Sequence, residues 1–247
     1  MTWQELGDGI FRRRYESLDL NVGLILADDN AMVIDSRATH SQGDELLEDV
    51  RSITPLPVTH LVNTHHHWDH TFGNSRFGCE ILGHARCRST LIERGDEMRR
   101  TLLDADWIPD EAKPHFEEVV ITPPETTFDT ALTVELGSRP IHLTHLGRGH
   151  TDNDIVIEVD DVLFAGDLVE EGAPPQFGDA FPTEWLATLD RLAARARSTI
   201  VPGHGDIVAS GFVETQRDQI ARAIEGEPVF PDPIMAQLQS RIEMQGG

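Results

Sequence analysis

Lysine is almost missing from this sequence: Lys113 is the one lysine in 247 residues, and arginine supplies nearly all the positive charge. An anionic group on a ligand would therefore have to be met by arginine, a backbone N–H or a metal. Cysteine is scarce too, Cys79 and Cys87 being the two. Two thiols with no second pair nearby make a poor closed metal site, and without a secretory start a disulfide is disfavoured, so packed, reduced thiols are expected. No stretch approaches the roughly 20 apolar residues of a membrane span. The start, Met1 to Gly9, has neither a basic nor an apolar signal region, which makes the cytoplasm the expected compartment. The formal net charge of -23 repels polyanions at long range and argues against nucleic acid as a partner.

What is present suffices for an ordinary globular protein. Hydrophobic content of 39% and charged content of 26% allow a large core, and the length is read as a single domain over residues 1–247. The first third reads as short strands, Gly9–Leu18, Val22–Ala27 and Ala31–Ile34, broken by a turn at Asp28-Asp29-Asn30. A helix follows near Gln42–Ile53, with Leu46, Leu47, Val50 and Ile53 at helical spacing and a stop at Thr54-Pro55. An apolar strand, Val58–Asn63, then leads into a run of histidines. Ala85–Leu103 reads as a long helix, and the irregular, acidic connection 104–124, with Trp107 and Phe116, is a candidate pocket wall. The second half repeats the outline: strands near Leu132–Glu135, Ile141–Thr144, Asp154–Glu158 and Val162–Ala165, then helices near Thr183–Arg195 and Gly211–Glu225. Strands then helix, twice over, predicts two sheets packed face to face with helices on both outer sides. A terminal helix, Asp232–Met244, is expected to pack on the fold or to make a subunit contact, as in a homodimer.

The chemistry concentrates in Asn63-Thr64-His65-His66-His67-Trp68-Asp69-His70, where a strand ends and a helix begins. A strand end fixes the backbone while the turn lets close side chains converge, so that His65 and His67 can bind one metal while Asp69 and His70 face a second. Imidazole and carboxylate without thiolate suit zinc or iron and speak against a purely structural zinc. His150, in Leu146-Gly-Arg-Gly-His, Asp167, after Val162-Leu-Phe-Ala-Gly, and His204, in Val201-Pro-Gly-His-Gly, are polar residues at apolar strand ends, flanked by glycines. Taken singly each is an ordinary loop or cap residue; taken together they read as ligands.

The order His-x-His-x-Asp-His, then Gly-His-Thr, Gly-Asp and Gly-His-Gly, resembles the metallo-β-lactamase superfamily over nearly the whole chain. The resemblance implies an α/β protein with an αβ/βα four-layer sandwich, two mixed sheets with helices on both outer faces. It gives His65, His67 and His150 to a first metal and Asp69, His70 and His204 to a second, with Asp167 bridging. The bridging carboxylate is commonly lacking in the family's true β-lactamases, so Asp167 points to the broader hydrolase branch, which includes thioesterases like glyoxalase II, lactonases and phosphodiesterases. The expected cofactors are two divalent cations, zinc first, with iron or manganese as alternatives. Two such cations sharing a water make hydroxide available at neutral pH, and Asp69 is the candidate for moving its proton.

The expected function is hydrolysis of a small ester, thioester or lactone. A mononuclear iron oxidoreductase resembling the family's persulfide dioxygenases is the alternative, with β-lactamase or phosphodiesterase behind it. The sole tyrosine, Tyr15, lies in the N-terminal strands and offers no counterpart to the tyrosine of some family lactonases. No lysine stands near the site to hold an antibiotic's carboxylate. The loop 170–182 is the expected substrate contact, through Gln176, Phe177, Asp179 and Phe181. His66 and Trp68 are expected to point away from the metals, and Asp152 or Asp154 to accept the spare N–H of a ligand imidazole. His60, His142 and His145 read as structural, with His145 able to orient a ligand.

Overall fold

The computed structural model describes residues 2–195 and 198–246 and turns the two halves of the chain into two β-sheets. Among the described residues the first sheet holds, in spatial order, β1 (Gln4–Gly7), β2 (Ile10–Arg14), β3 (Asn21–Leu26), β4 (Ala31–Ile34), β5 (Val58–Val62), β6 (Glu80–His84) and β7 (Thr126–Phe128). Short connections make β1 to β4 antiparallel, and crossovers make β4 to β7 parallel. The second sheet runs β12 (Thr199–His204), β11 (Val162–Glu170), β10 (Val156–Val159), β9 (Arg139–Thr144), β8 (Ala131–Leu136). It is antiparallel except for the β11–β12 pair.

The sheets meet through Ile25, Met32, Ile34, Val62 and Leu82 on one side and Ile141, Leu143, Ile157, Phe164 and Val201 on the other. Each fully buried side chain of this kind contributes about 1.5–3 kcal/mol. Helix α1 (His40–Ile53), capped where Thr39 Oγ1 accepts from Gln42 N, lays Leu46 and Val50 on the outer face of the first sheet. It stops where Pro55 disfavours helical geometry at Thr54. Trp185 and Leu189 of α5 (Pro182–Ala193), Val213 and Ile220 of α6 (Ser210–Ile224) and Leu238 of α7 (Asp232–Gly246) cover the second sheet. The result is the expected αβ/βα sandwich. No helix of the described residues is long and apolar enough to cross a membrane.

Three local expectations change. The strand expected over Gly9–Leu18 ends at Arg14, because Leu18 and Asp19 take positive φ angles of 63° and 58° and break the extended run. Strands β6 and β7 flank the long helix α3 (Ala85–Asp104) and were not legible as strands, being short and paired in parallel to distant partners. The strand expected to end at Ala165 continues to Glu170, kinked where its register with β12 shifts on both sides of Gly166.

Candidate metal centre

Strand β5 ends at Val62, and the turn that follows is seated on Asp35, just beyond β4. One Asp35 oxygen accepts from Thr64 N and the other from Thr64 Oγ1, both at 2.8 Å. The second oxygen also takes the Nδ1–H of His70 at 2.8 Å. Asp35 itself sits at φ 63°, a strained backbone position for a non-glycine residue, which the three hydrogen bonds hold in place. The single helical turn α2 (Trp68–Thr71) then sets Asp69 and His70 side by side.

Seven side chains converge from this turn and from three other stretches. His67 Nδ1 and His150 Nε2 approach to 2.9 Å, while Asp167 Oδ2 lies 3.4 Å from His150 Nε2 and 3.7 Å from His65 Nε2. Beside them His70 Nε2 lies 3.3 Å from Asp167 Oδ1 and 3.5 Å from Asp69 Oδ2. His204 Nε2 lies 3.4 Å from Asp69 Oδ2 and 3.3 Å from Asp167 Oδ2. Asp167 thus belongs to both groups. Donors bound at about 2.0–2.1 Å to a tetrahedral ion stand roughly 3.3 Å from one another, which is the spacing seen here. His65 Nε2, His70 Nε2 and Asp167 Oδ1 are buried without a hydrogen-bond partner, a costly state that cations between them would relieve. The donor set fits metal binding.

Four of the five clustered imidazoles, those of His65, His67, His70 and His204, have a hydrogen-bond acceptor on the far side. His65 Nδ1 meets Thr64 Oγ1 at 3.1 Å, His67 Nε2 meets Asp179 Oδ1 at 3.0 Å, and His204 Nδ1 meets the Leu18 carbonyl at 2.8 Å. Glu170 Oε1 lies 3.3 Å from His150 Nδ1, off the line of a good hydrogen bond. Such partners keep the N–H outward and turn the lone pair inward. Two glycines make room for the shared carboxylate. Gly166 supplies a φ of 53° beside Asp167, and a Cβ on Gly203 would lie 1.8 Å from Asp167 Oδ1.

The buried carboxylates set the electrostatics. Burial, helped by the neighbouring His70, His67 and His150 rings and opposed by Asp167, holds His65 well below the ordinary imidazole range. Burial also opposes charge on His70 and His204, yet Asp167 and Asp69 outweigh it and raise both. Burial and then Glu170 act in opposite directions on His150, which is pushed up to about 10. Asp167 is buried, which would raise it, but His70, His204 and His65 pull it well below the carboxylate range. The site therefore demands positive charge at its middle, from protons or from metal.

A cleft of about 770 Å³ opens over these residues, with Met98, Leu102 and Trp107 on one side and Gln176, Gly178 and Asp179 on the other. Of the expected substrate contacts in loop 170–182, Gln176 and Asp179 line the cleft. Phe177 does not: it is fully buried, its ring 5.9 Å from both Trp185 and Phe230, because its N–H is drawn to Gln237 of α7. Phe181 also lies outside the lining, its ring beneath Arg148 and Arg241. Asp179 is engaged with both His67 and His66. His66 stands beside His67, ring centroids 4.7 Å apart, with Nε2 3.2 Å from Asp179 and Nδ1 2.8 Å from Asn153 Nδ2; Trp68 packs against Trp107 and Phe116, and both His66 and Trp68 line the cleft. Trp107 lines the cleft while Phe116 is buried behind it.

Asp152 and Asp154 do not face the ligand rings. Asp152 accepts from Arg86 and Asn153, and Asp154 accepts from Thr151 N and Oγ1, which shapes the turn bearing His150. His145 binds the Asp154 carbonyl, His60 pairs with Thr59 and Glu80, and His142 pairs with Thr133. Both thiols are free, with burial pushing Cys79 up to about 11. The sequence reading missed Asp35, Glu170 and Asn153. Asp35 carried the same signal as Asp167, a carboxylate following an apolar strand; Glu170 and Asn153 carried none.

The superfamily model described as "Metallo-beta-lactamase superfamily" matches residues 18–204. The "Metallo-beta-lactamase type 2" of Bacteroides fragilis is 25% identical over 209 residues, covering 82% of this chain and 75% of that protein. A hydroxyacylglutathione hydrolase of Rhodospirillum rubrum is 35% identical over 108 residues, covering 37% of this chain and 38% of its own. Among solved structures, the metallo-β-lactamase FIM-1 from Pseudomonas aeruginosa in its mono-zinc form superposes with a TM-score of 0.69 at 19% identity, over 90% of this chain and 95% of that one. That likeness concerns the fold. With the family match running from the strained turn at Leu18 to the last of the clustered histidines, the chain belongs to the metallo-beta-lactamase superfamily.

Proposed function

We propose that this protein is a metal-dependent hydrolase of small esters, thioesters or lactones, working with two divalent cations, zinc by preference. The reading is carried by one observation: the inward atoms of seven side chains form two adjacent groups sharing Asp167, and three of those atoms lack any other partner. His65, His67 and His150 would hold one cation, Asp69, His70 and His204 the other, and Asp167 both. Bound there, divalent cations acidify water toward neutrality and polarise a carbonyl oxygen.

The protein's own groups do the rest. Thr64, Asp179, Asp35 and the Leu18 carbonyl hold the rings in register, so little reorganisation is left for the reaction. Asp69 lines the cleft with Oδ2 between His70 and His204, and is the carboxylate positioned to take a proton from the attacking water and return it to the leaving group. Trp68, Met98 and Leu102 give the cleft an apolar side against which the uncharged part of a substrate can rest. The cleft suits a small molecule, and the chain's acidity disfavours nucleic acid.

The test is metal analysis joined to a substrate panel. Protein stripped with a chelator and reconstituted should hold about two zinc per chain and cleave a generic thioester or ester. One iron per chain with oxygen consumption would replace this reading by the dioxygenase alternative, and full turnover after metal removal would end it.

A further inference from the structure

The walls of the cleft carry a charge pattern that hydrolysis alone does not require. Among the described residues, its charged lining comprises seven carboxylates and one guanidinium, that of Arg94. Arg94 is already answered one helical turn away, its Nε lying 3.5 Å from Glu97. Asp19 is paired from behind with Arg14, at 2.7 Å. Glu171 accepts the backbone N–H of Asp206 at 2.6 Å, and among the described residues no cation pairs with it. Two divalent cations and Arg94 together would still leave carboxylates in excess, so the filled cleft stays negative.

The lining also carries a group of large apolar side chains, Leu18, Trp68, Met98, Leu102 and Trp107. Trp107 is 61% exposed and Leu18 41%, two large hydrophobic side chains left open at the lip. Trp107 is set 6.0 Å from Trp68, which in turn lies 5.6 Å from the buried Phe116, giving a supported aromatic face rather than a loose side chain. Met98 and Leu102 of α3 extend that face. An aromatic wall with acidic surroundings receives flat apolar groups, and amines near them, while turning anions away.

We infer that the substrate is an ester, thioester or lactone bearing an apolar, ring-sized group and no anionic substituent, either neutral or carrying an amine. The scissile bond rests on the proposed hydrolase activity, whereas the selectivity rests on the walls. Substrates that carry carboxylates, such as glutathione thioesters or β-lactam acids, are thereby disfavoured, because among the described residues the one cationic side chain of the lining, Arg94, already faces Glu97.

The experiment reads binding and turnover separately. Binding of the N-methyl amides of benzoic, 4-sulfobenzoic and 4-(aminomethyl)benzoic acids to the zinc-loaded protein is followed by tryptophan fluorescence; a sulfonate is chosen because it is a poor zinc ligand. The neutral and amine-bearing amides should bind at least about tenfold tighter than the sulfonate, a difference of about 1.4 kcal/mol. A sulfonate bound as tightly as the neutral amide would overturn the inference. The Glu97→Gln, Glu171→Gln double variant should narrow the gap to less than about threefold, and an unchanged gap would count against the charge argument. Trp107→Ala should weaken the neutral amide about tenfold with zinc content unchanged, and undiminished affinity would remove the aromatic wall. The matching 4-nitrophenyl esters are assayed in parallel: if the binding order holds and none is cleaved, the hydrolase reading falls while the selectivity stands.

Discussion

The floor and the lip of the same cleft are built on opposite terms. At the floor, His65 and His70 are fully buried and each ring is held from behind by a hydroxyl or a carboxylate. At the lip, Trp107 and Leu18 stand open to solvent. A floor with so many constraints tolerates little change, and a lip with so few can vary without cost to the fold. The difference separates chemistry, which needs fixed distances, from selection, which needs only a surface of the right kind.

The sharpest way to break the comparison is at the shared carboxylate. Asp167→Ala should lose metal from both groups and lower kcat/KM by about 10³-fold or more, the several kcal/mol that cation-assisted charge stabilisation supplies. Zinc content by elemental analysis, with turnover on the same sample, checks it; a variant with full turnover would place the chemistry elsewhere. A pair of glycines gives the next test. Gly203→Ala pushes a Cβ to 1.8 Å from Asp167 Oδ1, so either the carboxylate moves or the β11–β12 pairing opens. Overpacking of this kind costs about 1–3 kcal/mol, with a loss of zinc affinity measurable by chelator competition. Gly178→Ala at the lip meets nothing within 4 Å and should change neither stability nor zinc affinity. Equal effects from the two substitutions would dissolve the distinction between floor and lip.

Asp179 lies between the two regions, carried by the cleft loop yet bonded to His67. Asp179→Ala should weaken zinc binding about 10–100-fold, the usual effect of removing an outer partner of a ligand imidazole. Asp179→Asn keeps one acceptor oxygen, enough for one of the two rings it serves, and should fall in between. An alanine variant with unchanged zinc affinity would move Asp179 from ring support to the substrate side.

The same division explains what the amino-acid sequence revealed. His65, His67, Asp69 and His70 were legible because their spacing is local. His150, Asp167 and His204 were legible because glycines beside a polar residue at a strand end are a local signature too. The supports were not. Asp35 reaches His70 across 35 positions and Asp179 reaches His67 across 112; the strand end before Asp35 marks it as a candidate polar residue, but neither neighbourhood names the ring it would meet. The Phe177 error has a similar cause: its burial depends on α7 packing back over the loop, through Gln237 to Phe177 and Arg241 to the Asp179 and Ala180 carbonyls. The sandwich itself followed from strand and helix patterns, whereas β6 and β7 depend on pairings that a five-residue and a three-residue run cannot announce.

The smallest effect bears most directly on the lip. Trp107→Ala removes the largest exposed aromatic from the cleft, and the same change at Trp185 removes an equal side chain from the core between α5 and the second sheet. Trp185 is fully buried, its indole N–H given to the Leu168 carbonyl at 3.2 Å, so its loss should cost about 3–5 kcal/mol and unfold a large share of the chain on mild heating. Trp107 forfeits a contact with Trp68 and little else, and its replacement should stay within about 0.5 kcal/mol of the parent in urea unfolding. A lip residue whose removal destabilised the fold like a core residue would mean that the open wall is a structural prop, and selection would then have to be sought elsewhere in the cleft.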